Sequence, residues 1–110
     1  MQIESVEGET GAVLRVSGRL DAGQAQAFAE RLLALLAGGD AAPVLDLEGV
    51  EYISSGGLRV LLQAAKLLQP RGGRLTLTRV PAQVYSTLTL SGFASFMTIR
   101  RIDQEPHADR

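Results

Sequence analysis

With 110 residues, 45% of them apolar and 21% charged, the chain is sized for one globular domain with a single core, burying roughly two-thirds of its unfolded surface. A net charge of -1 with dispersed Lys and Arg excludes the electrostatic footprint of a nucleic-acid or anionic-membrane binder. The lack of cysteine excludes disulfides, thiolate metal sites and cysteine nucleophiles, and with neither a leader pattern nor an apolar run near the ~20 residues of a membrane span, a soluble cytoplasmic protein is expected.

Gln2 to Val6 alternates polar and apolar side chains, and Ala12 to Val16 does so more strongly. With Glu7-Gly8-Glu9-Thr10-Gly11 as a turn between them, this predicts a β-hairpin with one covered face. Asp21 and Gln24 have the spacing of a capping box. The helix they open presents Ala25, Phe28, Leu32, Leu35 and Leu36 on one face and ends at Gly38-Gly39. Val44, Leu45, Leu47 and Val50 suit a buried strand.

Four small residues, Ser54-Ser55-Gly56-Gly57, then turn the chain into a second helix, whose Leu58, Leu61, Leu62, Ala65 and Leu68 recur at helical spacing until Gln69-Pro70-Arg71-Gly72-Gly73 stops it. Arg74 to Thr78 alternates as a strand. Pro81 suits a first helical turn, Val84 and Leu88 its buried side, and Gly92-Phe93 a glycine stop with a hydrophobic contact. Phe96 to Ile99 offers a last strand, and residues 103–110 form a polar, frayed tail. The expected order is β-β-α-β-α-β-α-β, a mixed α/β domain over residues 1–102 with a mostly parallel sheet covered by helices.

The chemistry concentrates at the serine-glycine turn. A serine there can cap the helix, accepting from free N–H groups of its first turn. With Ser55 as the cap, Gly56 and Gly57 occupy the first two helical positions and leave its hydroxyl open to another protein. At about 100° per residue, Arg59, Gln63 and Lys66 share one arc, while Val60 and Leu67 lie nearly opposite the leucine face. Two apolar faces exceed what a sheet-packed helix needs, so Ser54, Ser55, Gly56, Arg59, Val60, Gln63 and Leu67 are candidates for a partner surface.

Catalysis is disfavoured. No phosphate-binding loop with its lysine and no Gly-x-Ser-x-Gly elbow occurs. His107 is the single histidine and sits in the polar tail. Asp46 in a strand reads as an acceptor, and Glu51 as a solvated loop charge. No metal site, cofactor or catalytic residue is expected.

Gly18-Arg19-Leu20-Asp21, Val44 to Val50, Tyr52-Ile53-Ser54-Ser55-Gly56-Gly57-Leu58-Arg59-Val60-Leu61-Leu62 and Leu88-Thr89-Leu90-Ser91-Gly92-Phe93 together resemble the STAS domain family of bacterial anti-sigma-factor antagonists, over approximately Ile3 to Ile102. The resemblance implies partner switching. The unmodified antagonist binds an anti-sigma factor that is also a serine kinase, phosphorylation of the signature serine ends binding, and a phosphatase restores it. The family's usual signature is Asp-Ser-Ser/Ala-Gly-Leu with the first serine modified; alignment on Gly57-Leu58 puts that serine at Ser55, with Ser54 where the aspartate usually stands. The alternative implied is a STAS docking subunit of a transport or chemosensory complex, never phosphorylated.

Overall fold

A computed structural model describes residues 1–8, 11–38 and 42–102. The elements are β1 (Gln2–Gly8), β2 (Gly11–Leu20), α1 (Ala25–Ala37), β3 (Val44–Ile53), α2 (Ser55–Leu68), β4 (Thr76–Val80), α3 (Ala82–Leu90) and β5 (Thr98–Arg101), with short 3-10 turns at Gln69–Arg71 and Phe93–Ser95. This is the expected order. The five strands form one sheet in the order β1-β2-β3-β4-β5. The first pair is antiparallel, Ile3 opposite Val16 and Ser5 opposite Leu14, and the remaining pairs are parallel.

Because β2 to β5 are neighbours in chain order, right-handed crossovers gather the connecting helices on one face of the sheet. Strand alternation agrees. Leu14, Leu45 and Leu77 stand in register and are buried with Phe28, Leu32 and Leu36 of α1 and Leu61, Ala64 and Leu68 of α2 in one core. Val84 and Leu88 are the buried residues of α3, as expected. Gly92 takes a left-handed conformation with φ 78, and Phe93 packs into the core directly after it.

Several boundaries differ from the sequence expectation. Asp21 does not cap α1: Ala22, Gly23 and Gln24 form a turn in which the Gln24 N–H donates to the Asp21 carbonyl, and the helix starts at Ala25 with no side-chain cap. Pro81 occupies the cap position of α3 rather than its first turn. β3 runs on to Ile53, so Glu51 is a strand residue and not a loop charge; pairing with β2 continues to Leu20 opposite Ile53 through two register shifts that let the strand turn its apolar residues inward. β4 and β5 each lie two residues beyond their expected starts. Gly39 and the tail from Asp103, with His107, lie outside the described residues.

The sheet face opposite the core is polar at its centre. Arg15, Asp46 and Thr78 stand in register there, and Asp46 is nonetheless only 8% exposed. Its Oδ1 accepts from the Glu48 N–H at 3.0 Å, and its Oδ2 faces the Nε of Arg79 at 3.4 Å and of Arg15 at 3.8 Å. Arg79, which also pairs with Glu48, has φ 55 where β4 breaks register with β5. That left-handed kink carries a cost for a non-glycine residue, and it lays the guanidinium over the carboxylate. The arginines are half-exposed, so their Coulomb attraction is mostly screened; the larger part of the site's worth is the charge-assisted bond to Glu48. Asp46→Ala is expected to cost about 2 kcal/mol in a urea melt, and adding salt to the wild type should change little.

Candidate functional site

The serine-glycine turn lies where β3 passes into α2. Ser54, not Ser55, is the helix cap. It has extended geometry, φ -87 and ψ 172, and its Oγ accepts from the Gly57 N–H at 3.2 Å. Its own N–H donates to the Leu20 carbonyl at 2.9 Å, and its carbonyl accepts from Leu58 at 2.9 Å. Both backbone groups and the hydroxyl of Ser54 are thereby committed to joining strand, helix and neighbouring strand. Ser55 becomes the first helical residue, exposed. Its Oγ makes no hydrogen bond to any described residue. The two serines thus divide the work, one holding the turn and the other free.

A stability experiment separates them. Ser54→Ala removes the cap and is expected to cost about 1 kcal/mol, whereas Ser55→Ala should stay within about 0.5 kcal/mol of wild type in the same thermal melts. Equal losses at both positions would contradict the assigned roles.

The glycines serve closeness of packing rather than clearance over the hydroxyl. A Cβ on Gly57 would lie 2.9 Å from Ile53 Cγ1 and 3.2 Å from the Leu20 carbonyl oxygen, and one on Gly56 would lie 3.4 Å from Ala25 Cβ. The first turn of α2 therefore sits directly against the end of β2 and the start of α1.

Val60 does not belong to the exposed face. It is 7% exposed and part of the core cluster. The buried arc of α2 is Gly57, Val60, Leu61, Ala64, Ala65 and Leu68, because the helix packs on α1 as well as on the sheet and a helix flanked on two sides buries a wide arc. The small residues Gly57, Ala64 and Ala65, the latter two seven and eight positions after the first and so on one helix face two turns on, were the signal for it. Leu58 and Leu62, expected in the core, lie half-buried at its edge.

The exposed face is the one expected in its other members. Ser55, Arg59, Gln63 and Leu67 are all exposed, Leu67 by 45%, and Gly56 is half-buried beside them. Leu62 and Lys66 join Arg59, Gln63 and Leu67 in lining a shallow concavity. Sequence reasoning left these two out of the site; taking α2 by its small-residue stripe would have placed Lys66 opposite it and Leu62 on its flank. Asp46 is engaged by Glu48, Arg15 and Arg79, and the Glu51 carbonyl accepts from Gln83. One residue before Ile53, Tyr52 is 42% exposed, with the Arg19 guanidinium 4.5 Å from its ring centre.

Among the described residues no group of three or more His, Cys, Asp or Glu could hold a metal ion, and no helix is long and apolar enough to cross a membrane.

A sheet with this strand order, a capped serine-glycine turn after its central strand and an open helix face beside it define a STAS domain, and the family's sequence model (Mlab, STAS domain) matches residues 5–100. The chain belongs to that family. It is 32% identical, over 90% of its length and 84% of the relative's, to a protein from Bordetella bronchiseptica that carries the name anti-sigma factor antagonist BtrV. Among solved structures, it resembles an anti-sigma factor antagonist from Mycobacterium paratuberculosis with a TM-score of 0.79 and 23% identity, covering 98% of this chain and 87% of that one. It also resembles the phosphorylated form of the Bacillus cell fate determinant SpoIIAA, TM-score 0.67 and 20% identity, covering 89% and 88%. At such identities the two structures speak for the fold.

Proposed function

We propose that this chain is an anti-sigma-factor antagonist acting in the cytoplasm, which binds a serine-kinase anti-sigma factor through the exposed side of α2 and is released by phosphorylation of Ser55. The observation that carries this is the division of labour at the turn: Ser54 caps the helix, so the exposed Ser55 hydroxyl is free to be modified without cost to the fold. The name of the Bordetella relative, 32% identical, supports the class of partner.

In the switching step the Ser55 oxygen attacks the γ-phosphorus of ATP held by the partner, ADP leaves, and the hydroxyl proton passes to a base of the partner. The chain contributes the acceptor and a docking surface, and it is not an enzyme. A phosphatase hydrolyses the ester and resets the hydroxyl. The contacting residues are Ser55, Gly56, Arg59, Gln63 and Leu67, with Ser54 shaping the turn from behind.

The test is incubation with the cognate anti-sigma factor kinase and ATP, followed by intact-mass measurement and peptide sequencing. One phosphoryl group, placed on Ser55, is the expected result; none, or one on Ser54, refutes the switch. A constitutive docking subunit is the second reading. Ser54 standing where the family's signature has aspartate favours it, because the acceptor lacks the usual adjacent carboxylate. An unmodified mass together with stable complex formation would establish it.

A further inference from the structure

The face of α2 carries a charge bias that the whole chain lacks. From Ser55 to Leu68 there is no acidic residue, and the charged ones, Arg59 and Lys66, are both cations, while the protein as a whole has a net charge of -1. They stand two turns apart on one side of the helix. Neither has an ion-pair or hydrogen-bond partner among the described residues. Together with Leu62, Gln63 and Leu67 they line a concavity of about 390 Å³. It has an apolar floor and two unanswered positive charges at its rim.

We propose that this concavity docks an acidic segment of the protein partner, carboxylates meeting Arg59 and Lys66 while a large apolar side chain lies over Leu62 and Leu67. The inference rests on the partner-switching role above and adds the chemistry of the partner's contacting segment. A basic segment would set like charges together, and a neutral one would desolvate both cations without answering them; an acidic one satisfies the rim as it covers the floor.

The same arrangement gives Arg59 a second use. Ser55 precedes it by four residues, so both lie on one helix face, anion before cation once Ser55 is phosphorylated, which is the favourable order for such a pair. The phosphate then captures Arg59 in cis and withdraws it from the partner's carboxylate. A single covalent event alters two points of the surface.

A phage-displayed library of random peptides about 16 residues long, enough to run along several helical turns, is selected on the immobilised full chain and, in parallel, on Arg59→Glu/Lys66→Glu. Peptides rich in Asp and Glu around a large apolar residue are expected from the first, and peptides rich in Lys and Arg from the second. An acidic peptide so selected should bind Arg59→Gln/Lys66→Gln about tenfold more weakly, two exposed charge contacts having been lost. Enrichment without acidic bias, acidic bias that survives charge reversal, or no enrichment at all overturns the inference. The chain carrying phosphoserine at position 55 separates it from the switch. An acidic peptide that binds modified and unmodified chains equally leaves the docking chemistry standing and refutes release by phosphorylation.

Discussion

Phosphoserine installed at position 55 is expected to lower affinity for the proposed serine-kinase anti-sigma factor at least ~100-fold in titration calorimetry, with the melting temperature of the free chain no lower than that of the unmodified protein. The magnitude follows from charge. The phosphate brings about -1.5 to -2 at neutral pH, and burying it at an interface without a matched cation costs several kcal/mol, where ~1.4 kcal/mol is already tenfold. Arg59 is the nearest cation on the same face, and pairing with it leaves an excess of negative charge where the partner must sit. Stability goes the other way. Ser55 is the first residue of a 14-residue helix, where an anion is favoured by about 0.3–1 kcal/mol. Ser55→Ala should keep partner affinity because it removes the acceptor and adds no charge. Loss of binding accompanied by a lower melting temperature would mean that modification acts by unfolding, against the separation of cap and acceptor described here.

Gly57→Val is expected to be the most damaging substitution at the turn, destabilising by roughly 3 kcal/mol or more and lowering the melting temperature by about 10 °C. Even an alanine Cβ there would meet Ile53 Cγ1 at 2.9 Å and the Leu20 carbonyl oxygen at 3.2 Å. The first can yield by a rotamer change. The second is backbone of β2 and also accepts the Ser54 N–H, so relieving the clash pulls the helix from the strand or breaks that bond. Gly56→Ala is the control: its Cβ would lie 3.4 Å from Ala25 Cβ and 3.6 Å from Ser54 Oγ, contacts that small adjustments of α1 absorb. A Gly57→Val protein that melts like the wild type would show that the turn tolerates a wider spacing than the structure has.

These two outcomes depend on features with different visibility in the sequence. The serine-glycine turn is legible because an apolar strand pattern stops and a helical one starts around four small residues. Which serine caps is not legible. Either can accept from the first helical turn, and Ser54 is selected because its N–H reaches Leu20, a residue of another strand. Alignment on the family's signature points to Ser55 without regard to capping, and the structure changes the reason for that residue's openness: it is exposed because Ser54, not Ser55, is the cap.

Helix α2 shows the same limit. Its period is plain, and the solvent positions of Arg59, Gln63 and Leu67 follow from it. The phase of the buried arc does not, since leucines fit either the centre or the edge of such an arc. Val60 is interior and Leu62 peripheral because α1 flanks the helix on one side. Likewise the apolar run of Val44, Leu45, Leu47 and Val50 announces a strand, but its continuation to Ile53 required β2 as a partner along its whole length.

What the amino-acid sequence determined by itself is therefore the succession of elements, the small-residue junction and the all-cationic charge of α2, each a property of residues close along the chain. Tertiary structure decided which hydroxyl is spent on the backbone, which apolar side chains are interior, and that Arg79 bends back over Asp46. Those outcomes depend on groups brought together from distant parts of the chain, and no local period encodes the direction from which such neighbours arrive.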